Sequence, residues 1–201
     1  VSSANAGQYK LTLSADQFNM LNSTTPLKAD SEVTIKLSDK ADTVTLTKAV
    51  DTVVFEANAG NNTDVIKGFT AGSGGDKLDF SSAYTYSKLI EGDNNAPAAD
   101  ALSALADAAA SGSGNLSGAA FVFNGTVNEL QDTIKTAAAA DTDWYLASGD
   151  SALAFVGNVV DGATTFSVYE VTGKSGDAEE IHLVGTVQVD HGTALDVANF
   201  A

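Results

Sequence analysis

The stretch from Ala59 to Phe80 reads A-G-N-N-T-D-V-I-K-G-F-T-A-G-S-G-G-D-K-L-D-F, and it decides the predicted fold of the chain. Its second half, Ala71–Asp79, fits the nonapeptide G-G-x-G-x-D-x-U-x, where U is apolar, with alanine in place of the first glycine. Its first half, Ala59–Lys67, fits more loosely, because Asn62 stands where a glycine is expected. Taken alone, G-S-G-G-D is equally typical of a flexible turn before a strand.

Each residue type in the nonapeptide has a physical reason. Glycines, or an asparagine in their place, allow the positive φ angles that turn the chain sharply and leave carbonyl groups pointing at a cation. The aspartate adds a charged oxygen, and the apolar residue two positions later points inward from a short strand. Calcium accepts such irregular oxygen ligands, whereas magnesium requires an octahedron. The predicted calcium ligands are the side chains of Asp64, Asp76, Asp79 and Asn62 and the carbonyl groups of Gly60, Gly72 and Gly74.

The residues upstream repeat the same D-x-U element without the glycines. The runs D-T-V-T-L at 42–46 and D-T-V-V-F at 51–55 are nine residues apart, and V-T-I-K-L at 33–37 precedes them with the same alternation. We therefore interpret residues 31–80 as a β-solenoid whose early turns hold little metal and whose last turns bind calcium. The turns expected on the same side pair Asp42 with Asp64 and Asp51 with Asp76, at separations of 22 and 25 residues.

Several passages resemble one family. D-T-V-V-F at 51–55, A-G-N-N-T-D-V-I at 59–66, G-F at 68–69 and D-K-L-D-F-S at 76–81 resemble the end of an RTX-type repeat block in proteins exported by type I secretion. A-L-A-F-V-G at 152–157, H-L-V-G-T-V at 182–187 and A-L-D-V-A-N-F-A at 194–201 are similar to the ends of the same proteins.

Among type I secreted proteins, the chain most resembles the S-layer proteins and large adhesins of Gram-negative bacteria. The resemblance covers residues 10–90 and 150–201. It implies a secreted, cell-surface protein that folds with calcium. The sequence departs from the family pattern because it has one good nonapeptide, and because its same-side separations exceed the about 18 residues of two nonapeptides. The number of calcium ions therefore stays open.

The charge balance excludes several classes of partner. Ten lysines and no arginine stand against 26 acidic residues, for a formal net charge of −16 and a pI near 4.1. Such a chain cannot neutralise phosphates, so we expect no nucleic-acid partner. The excess of carboxylates opposes compaction until cations arrive, which predicts that folding is coupled to calcium. The sequence has no run of about 18 apolar residues, so no membrane insertion is expected.

We predict a mainly β chain in three parts. Residues 1–90 form a short β-roll or β-solenoid that is RTX-like and calcium-binding, with a small capping helix. Residues 91–142 form an Ala-rich helical insert, and residues 143–201 form an antiparallel β-meander packed on the same core. No signal-peptide pattern follows Val1. The start without methionine suggests a piece of a longer protein, and the resemblance to type I secreted proteins implies that the export signal lies at the C-terminus.

Local signals refine these parts. A strand at 8–13 leads into the capping box S-A-D-Q at 14–17 and a helix to about residue 22, and T-V-N-E at 126–129 opens a second helix to about residue 139. A strand is expected at 119–123 and a further helix at 97–110, and the acidic loop at 91–95 is read as a solvated turn. The meander strands are predicted at 144–147, 152–156, 164–171 and 181–189, with turn signals between them.

The sequence offers little for catalysis, so no catalytic residue and no enzymatic activity are predicted. His182 and His191 have no partner at zinc-ligand spacing. Three functions stay open: a structural, self-assembling module of a bacterial surface layer; the C-terminal secretion and folding module of an adhesin or hydrolase; and a module that binds a carbohydrate or another cell-surface partner. The first is favoured by the acidic composition, rich in small residues, and by the terminal A-L-D-V-A-N-F-A.

Overall fold

The structure of the chain is a computed structural model, and it is mainly β with two large sheets. It describes residues 10–24, 32–56, 63–81, 88–90, 114–115, 119–132, 144–146, 148–160, 163–173, 179–190, 195 and 197–201. The named elements are β1 (Lys10–Ser14), α1 (Ala15–Thr24), β2 (Glu32–Lys36), β3 (Thr43–Thr45), β4 (Asp51–Val54), β5 (Asp64–Phe69), β6 (Lys77–Asp79), β7 (Lys88–Ile90), β8 (Gly114–Asn115), β9 (Ala119–Asn124), β10 (Trp144–Tyr145), β11 (Ser151–Val160), β12 (Ala163–Gly173), β13 (Glu179–Val189) and a 3-10 helix (Val197–Asn199).

The first half of the chain alternates between the two sheets. β2, β4 and β6 lie in the first sheet, in the parallel order β1-β2-β4-β6, whereas β3 and β5 lie side by side in the second. Each strand is short, and its side chains alternate between buried and exposed or half-buried positions, as in β2 and β3. One face of each strand therefore points into the space between the sheets.

The register aligns the aspartates as their spacing predicts. Thr43 pairs with Val65, which places Asp42 level with Asp64 in the second sheet. Thr52 pairs with Lys77, which places Asp51 level with Asp76 in the first. The predicted same-side pairings at separations of 22 and 25 residues are therefore confirmed.

The second sheet contains strands from both halves of the chain. Its order is β3-β5-β13-β12-β11-β9-β7, and β13 pairs in parallel with β5 although more than 100 residues separate them. β13, β12 and β11 form an antiparallel meander, and β9 and β7 then add in parallel to β11. Strands from both halves contribute to one hydrophobic cluster.

Phenylalanines link the two halves inside this cluster. The Phe55 and Phe80 rings stack with centroids 4.3 Å apart, and Phe155 meets Phe80 edge-on at 5.9 Å. Phe200 also meets Phe155 edge-on, with centroids 5.2 Å apart. Because aromatic pairs contribute about 0.5–1.5 kcal/mol beyond their buried area, this row strengthens the contact between the early strands and residues near the C-terminus.

Both capping boxes form as predicted. Ser14 N–H donates to Gln17 Oε1 at 3.0 Å, and Gln17 N–H donates back to Ser14 Oγ at 3.3 Å. Thr126 and Glu129 make the same reciprocal pair at the start of the helix at 127–132. The first box places α1 across the open side of the early strands, where Phe18 is fully buried.

The meander has three strands instead of the predicted four. β10 pairs with β8 in a separate two-stranded ladder, because β11 already has neighbours on both edges, β12 and β9. The turn at 148–150 bonds to the far end of β12, with Gly149 N–H donating to the Gly173 carbonyl at 2.9 Å. That turn extends the β11–β12 ladder and does not return the chain onto β10.

Other predictions have mixed outcomes. The strand at 119–123 is confirmed as β9, and the pairing of Val160 with Ala163 confirms the two-residue hairpin signal between them. Phe155 and Phe166 of the meander are buried in the hydrophobic core. The helix at 97–110 and the acidic loop at 91–95 lie outside the described residues. Within the described part of the chain, no helix is long and apolar enough to cross a membrane.

Candidate functional site at the aspartate-bearing turns

The predicted calcium ligands are spread over both sheets. Asp64 begins β5 in the second sheet, whereas Asp76 precedes β6 and Asp79 ends it in the first. Gly72 and Gly74 lie in the turn before Asp76, and both have the predicted positive φ angles, 92° and 83°. Gly60 and Asn62 lie outside the described residues.

Asp76 closes the glycine-rich turn with both of its oxygens. Its Oδ2 accepts the N–H of Thr70 at 2.8 Å, and its Oδ1 accepts the N–H of Asp51 at 2.8 Å from the neighbouring strand. The side chain is fully buried. The carboxylate therefore holds the turn at 70–76 shut and also ties it to the preceding turn of the first sheet.

Asp64 repeats the inter-turn bond in the second sheet. Its Oδ1 accepts the N–H of Asp42 at 2.9 Å, and the residue is only 4 % exposed. Gly185 of β13 lies opposite Asp64, and a Cβ there would be 3.1 Å from the Asp64 carbonyl oxygen. A side chain at Gly185 would therefore press on the backbone of Asp64, which would have to move by a few tenths of an ångström.

Asp42 and Asp51 close their own turns in the same way as each other. Asp42 Oδ2 accepts the N–H and the hydroxyl of Ser38, at 2.6 and 2.8 Å. Asp51 Oδ2 accepts the N–H and the hydroxyl of Thr47, at 2.8 and 2.9 Å. We call Asp42, Asp51, Asp64 and Asp76 the aspartate ladder, since each pair is joined across neighbouring strands by a backbone N–H bonded to a carboxylate.

Burial makes the ionised ladder costly. It raises the pKa of Asp76 to about 7 and that of Asp64 to about 6, although backbone N–H groups act in the opposite direction. Burial also raises the pKa of Asp51. Repulsion between the paired carboxylates raises these pKa values further. The charge of Asp51 raises the pKa of Asp76, and the charge of Asp42 raises the pKa of Asp64.

Asp51 carries an oxygen with no donor. Its Oδ1 is buried and accepts no hydrogen bond from the residues that the structure describes, and the residue as a whole is fully buried. A buried carboxylate oxygen is costly unless it is protonated, hydrogen-bonded or bound to a cation. Among the described residues this atom is therefore the one that best fits a bound cation.

The Gly72 carbonyl fits a cation less well. It accepts the N–H of Gly75 at 3.0 Å and the side-chain amide of Asn199 at 3.3 Å, which uses both lone pairs. Within the described residues, no group of three or more His, Cys, Asp or Glu side chains is close enough to hold a metal. A calcium site at this turn would therefore rely on Asp51 and Asp76 more than on the predicted Gly72 carbonyl.

Asn199 is a site residue that the sequence analysis missed. Its Oδ1 accepts the N–H of Gly72 at 2.8 Å, and its Nδ2 donates to the Asp76 carbonyl at 2.9 Å. Residue 201 adds a backbone bond from its N–H to the Leu78 carbonyl at 3.1 Å. A-L-D-V-A-N-F-A was singled out by resemblance, but no local pattern indicates which turn it contacts.

A second polar group lies on the meander. Glu170 on β12 is paired across the strands with His182 on β13, and His182 Nε2 lies 3.0 Å from Glu180 Oε1. The His182 side chain is 49 % exposed, so it lies on the surface of the sheet.

Comparisons with known proteins give no identification. No protein-family model, no curated protein and no solved structure matches this chain.

Proposed function

We propose that this chain is a structural, self-assembling module of a secreted bacterial surface layer, and that it folds or assembles with calcium. In this proposal, residues 31–80 are a short β-roll, extended by β13 and the C-terminal residues. The observation that carries the proposal is the aspartate ladder, in which the buried Asp64 lies level with the half-buried Asp42 and the buried Asp76 lies level with the buried Asp51, on parallel strands of two alternating sheets.

The ladder supports a cation because no lysine or histidine of the described residues is paired with its carboxylates. Its donors are backbone N–H groups and the hydroxyls of Ser38 and Thr47. Burial disfavours the charged forms, and Asp51 Oδ1 has no donor. A divalent cation at Asp51 and Asp76 would offset both costs, and calcium suits a ligand set made of oxygens alone.

Self-assembly is supported by the charge of the whole chain. At a formal net charge of −16, copies repel one another, and each copy resists compaction. Calcium would reduce both effects at once. A surface layer would then form outside the cell, where calcium is abundant, and the chain would stay open before export.

A calcium titration tests the proposal directly. Circular dichroism in a chelator, in magnesium and in calcium should show the ordered β spectrum appear or strengthen with calcium alone. Electron microscopy of the same samples should show sheets or ordered lattices with calcium. Identical folded spectra in all three conditions, with no assembly in any of them, would reject the proposal.

A pair of variants locates the ion. Asp51→Asn should weaken calcium binding about tenfold or more by calorimetry, because the charge of the ligands sets the affinity of calcium sites. Glu56→Gln removes one charge from an exposed position and should leave the affinity unchanged. Equal losses in the two variants would show that net charge, not this site, governs binding.

A further inference from the structure

Three edge strands of the two sheets are covered to different degrees. At β3, two asparagines of α1 donate to carbonyl groups of the strand, and at β6 the N–H of residue 201 donates to the Leu78 carbonyl. β1 is the other edge of the first sheet, and among the described residues its one strand neighbour is β2. Of these three edges, β1 is therefore the one without such a cover in the described part of the chain.

The hydrogen-bond pattern shows which backbone groups of β1 face outward. The N–H of Leu37, which follows β2, donates to the Val54 carbonyl on β4, so alternate residues counted back from Leu37 point at β4. Thr34 belongs to the other set and points at β1, where Thr12 is its partner. In a parallel ladder the partner of such a residue points the other way. The N–H and the carbonyl of Thr12 therefore face away from β2.

The inner face of β1 is also incompletely covered. Leu11 and Leu13 pack against the hydrophobic cluster but are half-buried. Val33 and Ile35, their partners on β2, are at most 2 % exposed. A strand added outside β1 would therefore gain main-chain hydrogen bonds and would also cover apolar surface of the two leucines.

The sequence of β1 is complementary to itself in an antiparallel pair. L-T-L at 11–13 reads the same in both directions around Thr12. In a pair centred there, the two Thr12 residues would exchange two N–H···O=C bonds, and Leu11 of each copy would lie opposite Leu13 of the other. Lys10 would lie opposite Ser14. Residues 10–14 carry no carboxylate, although the chain has 26 acidic residues, so this pairing brings no two carboxylates of β1 together.

We propose that the outer edge of β1 is a dimer contact, and that its partner is β1 of a second copy, paired antiparallel about a two-fold axis at Thr12. The contact uses the same edge of both copies, so it closes at two and does not extend the sheet further. The inference rests on the proposed self-assembly and names the contact that joins two copies into its repeating unit.

Sedimentation of the full chain with calcium present tests the contact. The unmodified chain should show a dimer fraction that grows with concentration. Thr12→Pro removes the outward N–H and keeps the bonds to β2, which come from Leu11 and Leu13, so it should raise the dimer dissociation constant about tenfold or more. Thr12→Val keeps that N–H and should dimerise like the unmodified chain. A monomer at every concentration, or equal dimerisation of the two variants, would show that the inference is wrong.

A cross-link keeps the test decisive if Thr12→Pro does not fold. The chain has no cysteine, so Thr12→Cys adds a single thiol, which would meet its copy at the two-fold axis. A hydrogen-bonded antiparallel pair has Cα atoms about 5.5 Å apart, within the range of a disulfide. Mild oxidation should link Thr12→Cys into a dimer much faster than Thr43→Cys, whose thiol would lie at an exposed position of β3. Equal rates would reject β1 as the contact.

This inference and the proposed function fail separately. Calcium-dependent lattices that form equally well with Thr12→Pro would reject the β1 contact and leave the proposed function in place. Dimers that form as expected from a chain that neither folds nor assembles in response to calcium would reject the proposed function and leave the β1 contact in place.

Discussion

Ser38 and Thr47 show how single residues fix the turns. Each donates its N–H and its hydroxyl to the aspartate four residues later, and each hydroxyl oxygen accepts the N–H two residues later, from Lys40 and Ala49. The runs S-D-K-A-D and T-K-A-V-D thus form the same bonds nine residues apart. These turns need no glycine, because the side chains satisfy the backbone groups that a glycine turn would leave to a metal or to water.

Asp76→Ala should lower the free energy of unfolding by about 2 kcal/mol, because it leaves the buried N–H of Asp51 and the partly buried N–H of Thr70 without acceptors. Urea denaturation in a chelator measures this loss without a contribution from metal. Asp79→Ala is the matched control, since Asp79 is half-buried and accepts the exposed N–H of Ser81, and it should cost less than about 1 kcal/mol. Equal losses for the two variants would contradict the role given to Asp76.

Helix α1 protects the edge of the second sheet. Asn19 Nδ2 donates to the Thr43 carbonyl at 2.7 Å, and Asn22 Nδ2 donates to the Thr45 carbonyl at 3.3 Å. These carbonyls belong to β3, the edge strand on that side. An unpaired edge invites pairing with another chain, so the helix limits association at this end of the sheet.

Replacing both asparagines, Asn19→Ala with Asn22→Ala, should expose this edge. We expect a loss of about 1 kcal/mol in the free energy of unfolding and a clear increase in aggregation on storage. Thermal unfolding and light scattering measure the two effects. Met20→Ala is the control on the same helix, because that side chain is 67 % exposed, and aggregation at the rate of the double variant would show that β3 is not the cause.

For the whole molecule, the buried ladder predicts a stability that falls as the pH rises. Burial holds the pKa of Asp64 at about 6 and that of Asp76 at about 7 in the folded state, above the ordinary value of 3.8. Each group therefore contributes stability that is fully present below about pH 4 and is lost as the pH rises through 6 and 7. In a chelator the chain should unfold at a lower urea concentration at pH 8 than at pH 5. With a discount for solvent screening, the free energy of unfolding should be lower at pH 8 by on the order of 1 kcal/mol.

Two variants separate this effect from general charge repulsion. Asp76→Asn should flatten the dependence of stability on pH, whereas Glu56→Gln removes a charge from an exposed position and should leave the slope unchanged. An equal slope in all three chains would show that Asp76 does not titrate in this range. Added calcium should also reduce the dependence of stability on pH, because a bound cation neutralises the charge of the buried carboxylates.

The sequence predicts local features of the molecule better than distant ones. The capping boxes, the hairpin at Val160–Ala163 and the level aspartates follow from residue types and spacing, because neighbouring groups determine them. The pairing of β13 with β5, the position of β10 and the docking of Asn199 depend on which sheet edge is free once the other strands have packed. No periodicity within a segment carries that information.

The parallel pairing of β5 with β13 has a consequence for folding. Residues 64–69 cannot complete this part of the second sheet until residues 185–189 pair with them, and the first sheet likewise lacks its contact at Leu78 until residues 200–201 arrive. Contacts between residues so far apart raise the contact order and slow folding, because a long loop must close first. The rate-limiting step is therefore expected to be the arrival of the last strands, and until then the edges of β5 and β6 stay open to other chains.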